Sequence, residues 1–123
     1  MRSKKTPRDT DAITWTKHAT AKMWFYGISE NAVKKILRDP ARHEEGIAPY
    51  TAAVMRPFGS PTKDGRLPYR GEVWVMYKSA RQASPKSQVP NPKRIISVWR
   101  YPGKSPVRDA VPIPDDIRNE LAL

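Results

Sequence analysis

The chain has 123 residues, no cysteine, two histidines and a net charge of +11, from 23 Lys+Arg against 12 Asp+Glu. A chain of this length forms one domain and buries a core without covalent staples. The composition excludes disulfides and thiolate metal sites, leaves too few imidazoles for zinc, and contains no apolar run of 18 residues that would cross a membrane. The N-terminal MRSKKTPRDT is basic and lacks the apolar core of a secretory signal. The expectation is a soluble cytoplasmic protein with no metal or other cofactor.

In chain order, residues 1–11 hold no apolar side chain between Met1 and Asp11 and predict a disordered basic arm. Thr16 is a good N-cap and Gly27 a good C′ residue, so KHATAKMWFY between them predicts a first helix. Ala19, Met23 and Tyr26 share one of its faces, while Trp24 and Phe25 fall outside it and predict packing on a second side. Ser29 and Glu30 open a second helix, which Asp39-Pro40 ends. Its Ala32, Val33, Ile36 and Leu37 form one apolar stripe, and Asn31, Lys34, Lys35 and Arg38 face water.

After Pro40 the period changes. A short edge strand is predicted at 42–45 and another strand at 51–56, ended by Pro57. Residues 63–66 (KDGR) read as a turn. Two strands rich in Val, Ile, Trp and Tyr follow at 72–78 and 94–101, joined by the polar, Pro-containing loop 79–92. Pro114, Asp115 and Asp116 predict a short C-terminal helix. The reading is an α+β fold: two N-terminal helices packed on a small twisted antiparallel sheet. The arm 1–11 and the Pro-rich tail 104–123 would lie outside a domain at 12–103.

The charge is uneven. Residues 79–103 carry five Lys or Arg and no Asp or Glu, whereas residues 11–49 carry six against five. The basic excess therefore lies on the sheet half and the arm. This asymmetry favours a polyanion, nucleic acid first, as the partner. A solubilising cationic surface or an acidic protein partner are the alternatives.

Several motifs run in a familiar order: His18 at a helix start, Met23, Tyr26-Gly27-Ile28-Ser29, Val33, Leu37, Pro40 and Glu44-Glu45-Gly46. Arg70-Gly71-Glu72-Val73-Trp74-Val75 and Ile95-Ile96-Ser97-Val98-Trp99-Arg100-Tyr101 follow. Across about residues 14–103 this resembles a bacterial domain family of unknown function grouped with BrnT-like and RelE-like toxins. The resemblance implies the barnase/EndoU/colicin/RelE-like fold. It also implies RNA as partner, metal-independent endoribonuclease activity in some members, and an antitoxin-like protein partner. In the family pattern His-x-x-x-Arg-Met this chain has Lys22 in place of Arg, and Lys is not a planar bidentate phosphate clamp.

Metal-free RNA cleavage needs a group that titrates near neutrality and cations that hold the phosphorane. His18 is the candidate acid/base, with Lys22 one helical turn away and Arg70 and Arg100 as candidate phosphate-holding cations. Lys78, Arg94, Trp74, Trp99 and Tyr101 are candidate RNA-binding residues, the aromatics by stacking bases on an exposed sheet face. Tyr77 belongs to the same aromatic set. The alternatives are plain: a helix-edge His18 bonded to strand backbone, solvated strand-end arginines, and core aromatics. Period-two alternation puts Ser97 with Ile95, Trp99 and Tyr101, opposite Arg100, unless a bulge intervenes. His43, beside Glu44 and Glu45, reads as a solvated edge residue. Three functions remain open: an endoribonuclease, a non-catalytic RNA- or ribosome-binding module, and a protein-interaction domain.

Overall fold

The structure, a computed structural model, describes residues 6–10, 12–45, 50–79, 92–106 and 113–117. The element order is β1 (Ile13–Trp15), α1 (Lys17–Tyr26), α2 (Glu30–Arg38), β2 (Arg42–Glu45), β3 (Thr51–Phe58), β4 (Gly71–Ser79) and β5 (Lys93–Pro102). They form an α+β fold around one five-stranded sheet of order β1-β5-β4-β3-β2. The sheet is mixed, not purely antiparallel: β1 pairs parallel with β5, and the other neighbours are antiparallel. The unforeseen β1 is only three residues long, too short to show a period, and it places a strand ahead of the helices.

Both helices end where their capping residues stand. Thr16 Oγ1 accepts the Ala19 N–H at 3.0 Å, and Ser29 Oγ accepts that of Ala32 at 3.1 Å. Gly27 ends α1 at φ +67°, a left-handed turn that a Cβ would strain. Arg56 closes α2, donating from Nη1 to Asp39 O at 2.7 Å and to Asp39 Oδ2 at 3.0 Å. A cation there also suits the negative end of the helix dipole. Along α2, Val33 and Ile36 are buried, each contributing about 1.5–3 kcal/mol by leaving water.

β3 runs two residues past its expected end and includes Pro57. Met55 O accepts the Ala41 N–H, so odd positions of β3 direct their backbone toward β2. The pairing with β2 stops at Met55, and the missing N–H of Pro57 falls on the unpaired edge beyond it.

Both faces of the sheet are covered. On one, Ala52, Val54, Val73, Val75, Tyr77, Ile95 and Val98 pack under Ala19, Met23, Ile28, Val33 and Ile36 of the helical pair. On the other, Ala53, Met55, Trp74, Met76 and Trp99 pack with Ile113 and Ile117. Ile113 and Ile117 thus pack into the core although they lie beyond the boundary expected at 103/104. The helix expected after Pro114 shows as a helical turn at residues 115–117. Of the arm expected at 1–11, residues 6–10 are tied to the fold. Asp9 accepts the Trp15 N–H at 3.0 Å, Arg8 O accepts Trp15 Nε1 at 3.2 Å, and Pro7 is buried. The loop expected at 79–92 lies almost wholly outside the described residues.

Candidate functional site

The second face of the sheet, opposite α2, carries most of the polar chemistry. Its centre is dry. Trp74 and Trp99 are 0 % and 1 % exposed and lie parallel, 6.0 Å between ring centroids. Neither offers a face to a base, which corrects their expected stacking role: Ile113 and Ile117 occupy the surface that a base would need. Tyr101 packs half-buried at the margin of this cluster, and Tyr77 is buried on the helical face.

A bulge between β4 and β5 changes the expected alternation. Met76 pairs with Ser97 but Tyr77 pairs with Ile95, leaving Ile96 as the extra residue. Ile95 therefore joins the helical face and Ile96 packs on the second face, beside Trp99. Ser97 and Arg100 point to opposite faces, as alternation requires.

The catalytic set expected from sequence is not brought together. His18 and Lys22 lie one turn apart on α1, and Lys22 pairs with Asp116. Arg100 donates from Nε to Tyr26 O at 2.9 Å, and its guanidinium sits 4.6 Å from the centre of the Phe58 ring. It is thus fastened at the far end of α1, about 12 Å along the axis from His18 at 1.5 Å per residue. One phosphorane cannot contact both groups. Arg70 is exposed beside the β3–β4 turn, its N–H donated to Phe58 O. His43 is exposed on edge strand β2, as read from sequence.

Lys78 and Arg94 stand directly opposite each other on β4 and β5, both exposed. Neither has an ion-pair partner among the described residues. Lys93 precedes Arg94 on β5, its ammonium 5.6 Å from the Tyr77 ring centre. Like charges directly opposed across a strand pair cost stability, by a few tenths of a kcal/mol up to about 1.

At the other end of the second face is a buried carboxylate that sequence reasoning missed. Glu72 is 1 % exposed and accepts four hydrogen bonds. Trp74 Nε1 (3.1 Å) and Ser105 Oγ (2.5 Å) reach Oε1; Tyr69 OH (2.8 Å) and Ser105 N–H (3.2 Å) reach Oε2. Arg42 extends the network, donating to Ser105 Oγ at 2.9 Å and to Glu44 Oε1 at 2.8 Å, with its guanidinium 5.3 Å from the Trp74 ring centre. Burial, the bond to Glu72 and its negative charge push the Tyr69 phenol up to about 12. Arg42, Tyr69, Glu72 and Ser105 border a cavity of about 250 Å³, together with Met55, Pro57 and Lys104. The available signal was an acid set in an apolar run between Gly71 and Val73; its partners Tyr69 and Ser105 lie in stretches that read as turn and linker. A second concavity, about 340 Å³, lies between Pro7, Trp15, Lys17 and Trp24.

Among the described residues there is no cluster of three or more His, Cys, Asp or Glu able to hold a metal ion, and no helix long and apolar enough to cross a membrane. Comparison with protein-family models, with curated proteins and with solved structures finds no match to this chain.

Proposed function

We propose that the chain is a basic RNA-binding module that engages a phosphate backbone at the Lys78–Arg94 end of its sheet. The observation that carries this reading is the opposed, exposed pair Lys78 and Arg94, which has no ion-pair partner among the described residues. A sheet that keeps two cations face to face loses stability unless an anion relieves them. Residues 79–103 carry five Lys or Arg and no acid in sequence, Lys93 and Arg94 among them. The resemblance to BrnT-like and RelE-like toxins supports RNA as the polyanion.

Binding of single-stranded RNA should weaken linearly in log Kd against log salt, with a slope of about 0.7 per phosphate neutralised. Replacing both cations, Lys78→Gln with Arg94→Gln, should make that slope shallower by about 1.4. An unchanged slope and affinity would sink the assignment of this surface.

A metal-independent endoribonuclease is the second reading, favoured by His18 and Lys22 on one stripe of α1. The fastening of Arg100 and the pairing of Lys22 with Asp116 weigh against it. Cleavage of labelled RNA in EDTA that disappears in His18→Ala would establish it.

A further inference from the structure

Three side-chain atoms among the described residues are buried without a hydrogen-bond partner: His18 Nε2, Ser97 Oγ and Trp99 Nε1. Native interiors seldom leave such groups unpaired. These three lie on adjoining elements, α1 and β5. Ser97 and Trp99 are two residues apart on the second face of β5, opposite Met76 and Trp74. Thr16 Oγ1 donates to Ile96 O at 3.0 Å, which sets the first turn of α1, and His18 with it, level with Ser97. Lys22 follows one turn later. Residues 113–117 close over them: Ile117 packs in the cluster of Trp99 and Met76, and the Asp116 carboxylate pairs with Lys22.

The chemistry of this set is one-sided. An indole N–H and an ammonium only donate, and a hydroxyl and an imidazole donate when they face an anion. The acid already present, Asp116, is held below the ordinary carboxylate range, first by its hydrogen bond from Lys22 and also by the His18 charge. Its side chain is nearly half exposed, and it pairs with Lys22 while the three buried atoms stay without a partner.

We propose that His18, Lys22, Ser97 and Trp99 form an oxyanion site that takes a phosphate when the Asp116 carboxylate, now paired with Lys22, is displaced. A phosphate brings more acceptor oxygens than a carboxylate and a larger charge, and so can reach donors that Asp116 does not. Assigning the phosphate to an RNA backbone rests on the binding reading above; the site itself does not. Asp116 is then a competitor built into the chain, which RNA must displace.

The test is titration of the Trp99 indole ¹H–¹⁵N resonance, assigned with Trp99→Phe, in wild type, Asp116→Asn and Asp116→Asn/Lys22→Gln. The probes are inorganic phosphate against sodium chloride at matched ionic strength, and then a single-stranded RNA oligonucleotide. Near-UV circular dichroism verifies that each variant keeps its packed tryptophans. The expected result is a saturable phosphate-dependent shift, at least tenfold tighter in Asp116→Asn than in wild type and reversed by Lys22→Gln. No phosphate-specific shift in folded Asp116→Asn, or equal titrations in all three proteins, overturns the site. RNA moving the same resonance supports the backbone as source. Phosphate moving it while bound RNA does not overturns that source. Loss of RNA binding altogether, with the phosphate shift intact, overturns the binding reading and leaves the oxyanion site standing.

Discussion

Replacing Glu72 by Ala should be among the most damaging single changes in this fold. The carboxylate accepts four hydrogen bonds, and two of their donors cannot re-aim: the Trp74 indole N–H and the Ser105 backbone N–H. Each would be left buried and unpaired at about 1–3 kcal/mol. The Tyr69 and Ser105 hydroxyls can rotate, and Arg42 keeps Glu44. The expected loss is therefore about 3–5 kcal/mol, a large share of the roughly 5–15 kcal/mol stability of a typical small domain. Glu72→Gln is the graded companion. Its amide oxygen can keep Trp74 and Ser105 Oγ, while its NH₂ faces the Ser105 N–H, so about 1.5–3 kcal/mol is expected. Urea unfolding followed by tryptophan fluorescence gives both values from the midpoint and slope. A loss below about 1 kcal/mol for the Ala variant, or a Gln variant worse than Ala, would refute the assignment of Glu72 as the pin between sheet and C-terminal segment.

Gly71→Ala should cost about 1–3 kcal/mol in the same assay, because the new Cβ would lie 2.7 Å from the Phe58 ring and 2.8 Å from Tyr101 O. Thr16→Ala should cost about 1–2 kcal/mol and Thr16→Ser much less, since the hydroxyl both caps α1 and donates to Ile96 O. The neutral Tyr69 phenol is favoured in the fold, so between pH 10 and about 12 the unfolded chain holds fewer protons there than the native one. That stabilisation is complete below pH 10 and fades as pH rises toward 12; unfolding midpoints across this window should fall more steeply for wild type than for Tyr69→Phe.

Local chemistry was legible where it acts over a few residues. Thr16, Gly27, Ser29 and Asp39-Pro40 bracket the two helices because caps and breakers act on the adjacent turn. The existence of β4 and β5 was legible because their runs of Val, Ile, Trp and Tyr suit a pleated surface. What was hidden depends on contacts far apart in sequence. Ser105 reads as linker until Glu72, 33 residues away, gives its N–H and hydroxyl an acceptor. The burial of Trp74 and Trp99 depends on Ile113 and Ile117, so aromatics that would stack bases on an open sheet become core. The bulge at Ile96 turns Ile95 to the helical face, although no Gly or Pro marks it in the sequence.

The net charge of +11 overstates what is free to bind. Lys22 is paired with Asp116, Arg56 caps α2, Arg42 sits among Glu44, Ser105 and Trp74, and Arg100 is fastened to Tyr26 O. Removing one of these cations leaves a carbonyl, carboxylate or ring without its partner, so the first effect is on folding. Lys78 and Arg94 differ because their removal relieves a like-charge contact. Neutralising variants should therefore divide. Arg42→Gln and Arg100→Gln should lower the unfolding midpoint and leave the salt slope of RNA binding unchanged in the folded fraction. Lys78→Gln with Arg94→Gln should hold or raise the midpoint and flatten the slope. If the slope flattens equally for both pairs, the positive charge acts as a diffuse field, and the Lys78–Arg94 end has no special claim as the contact surface.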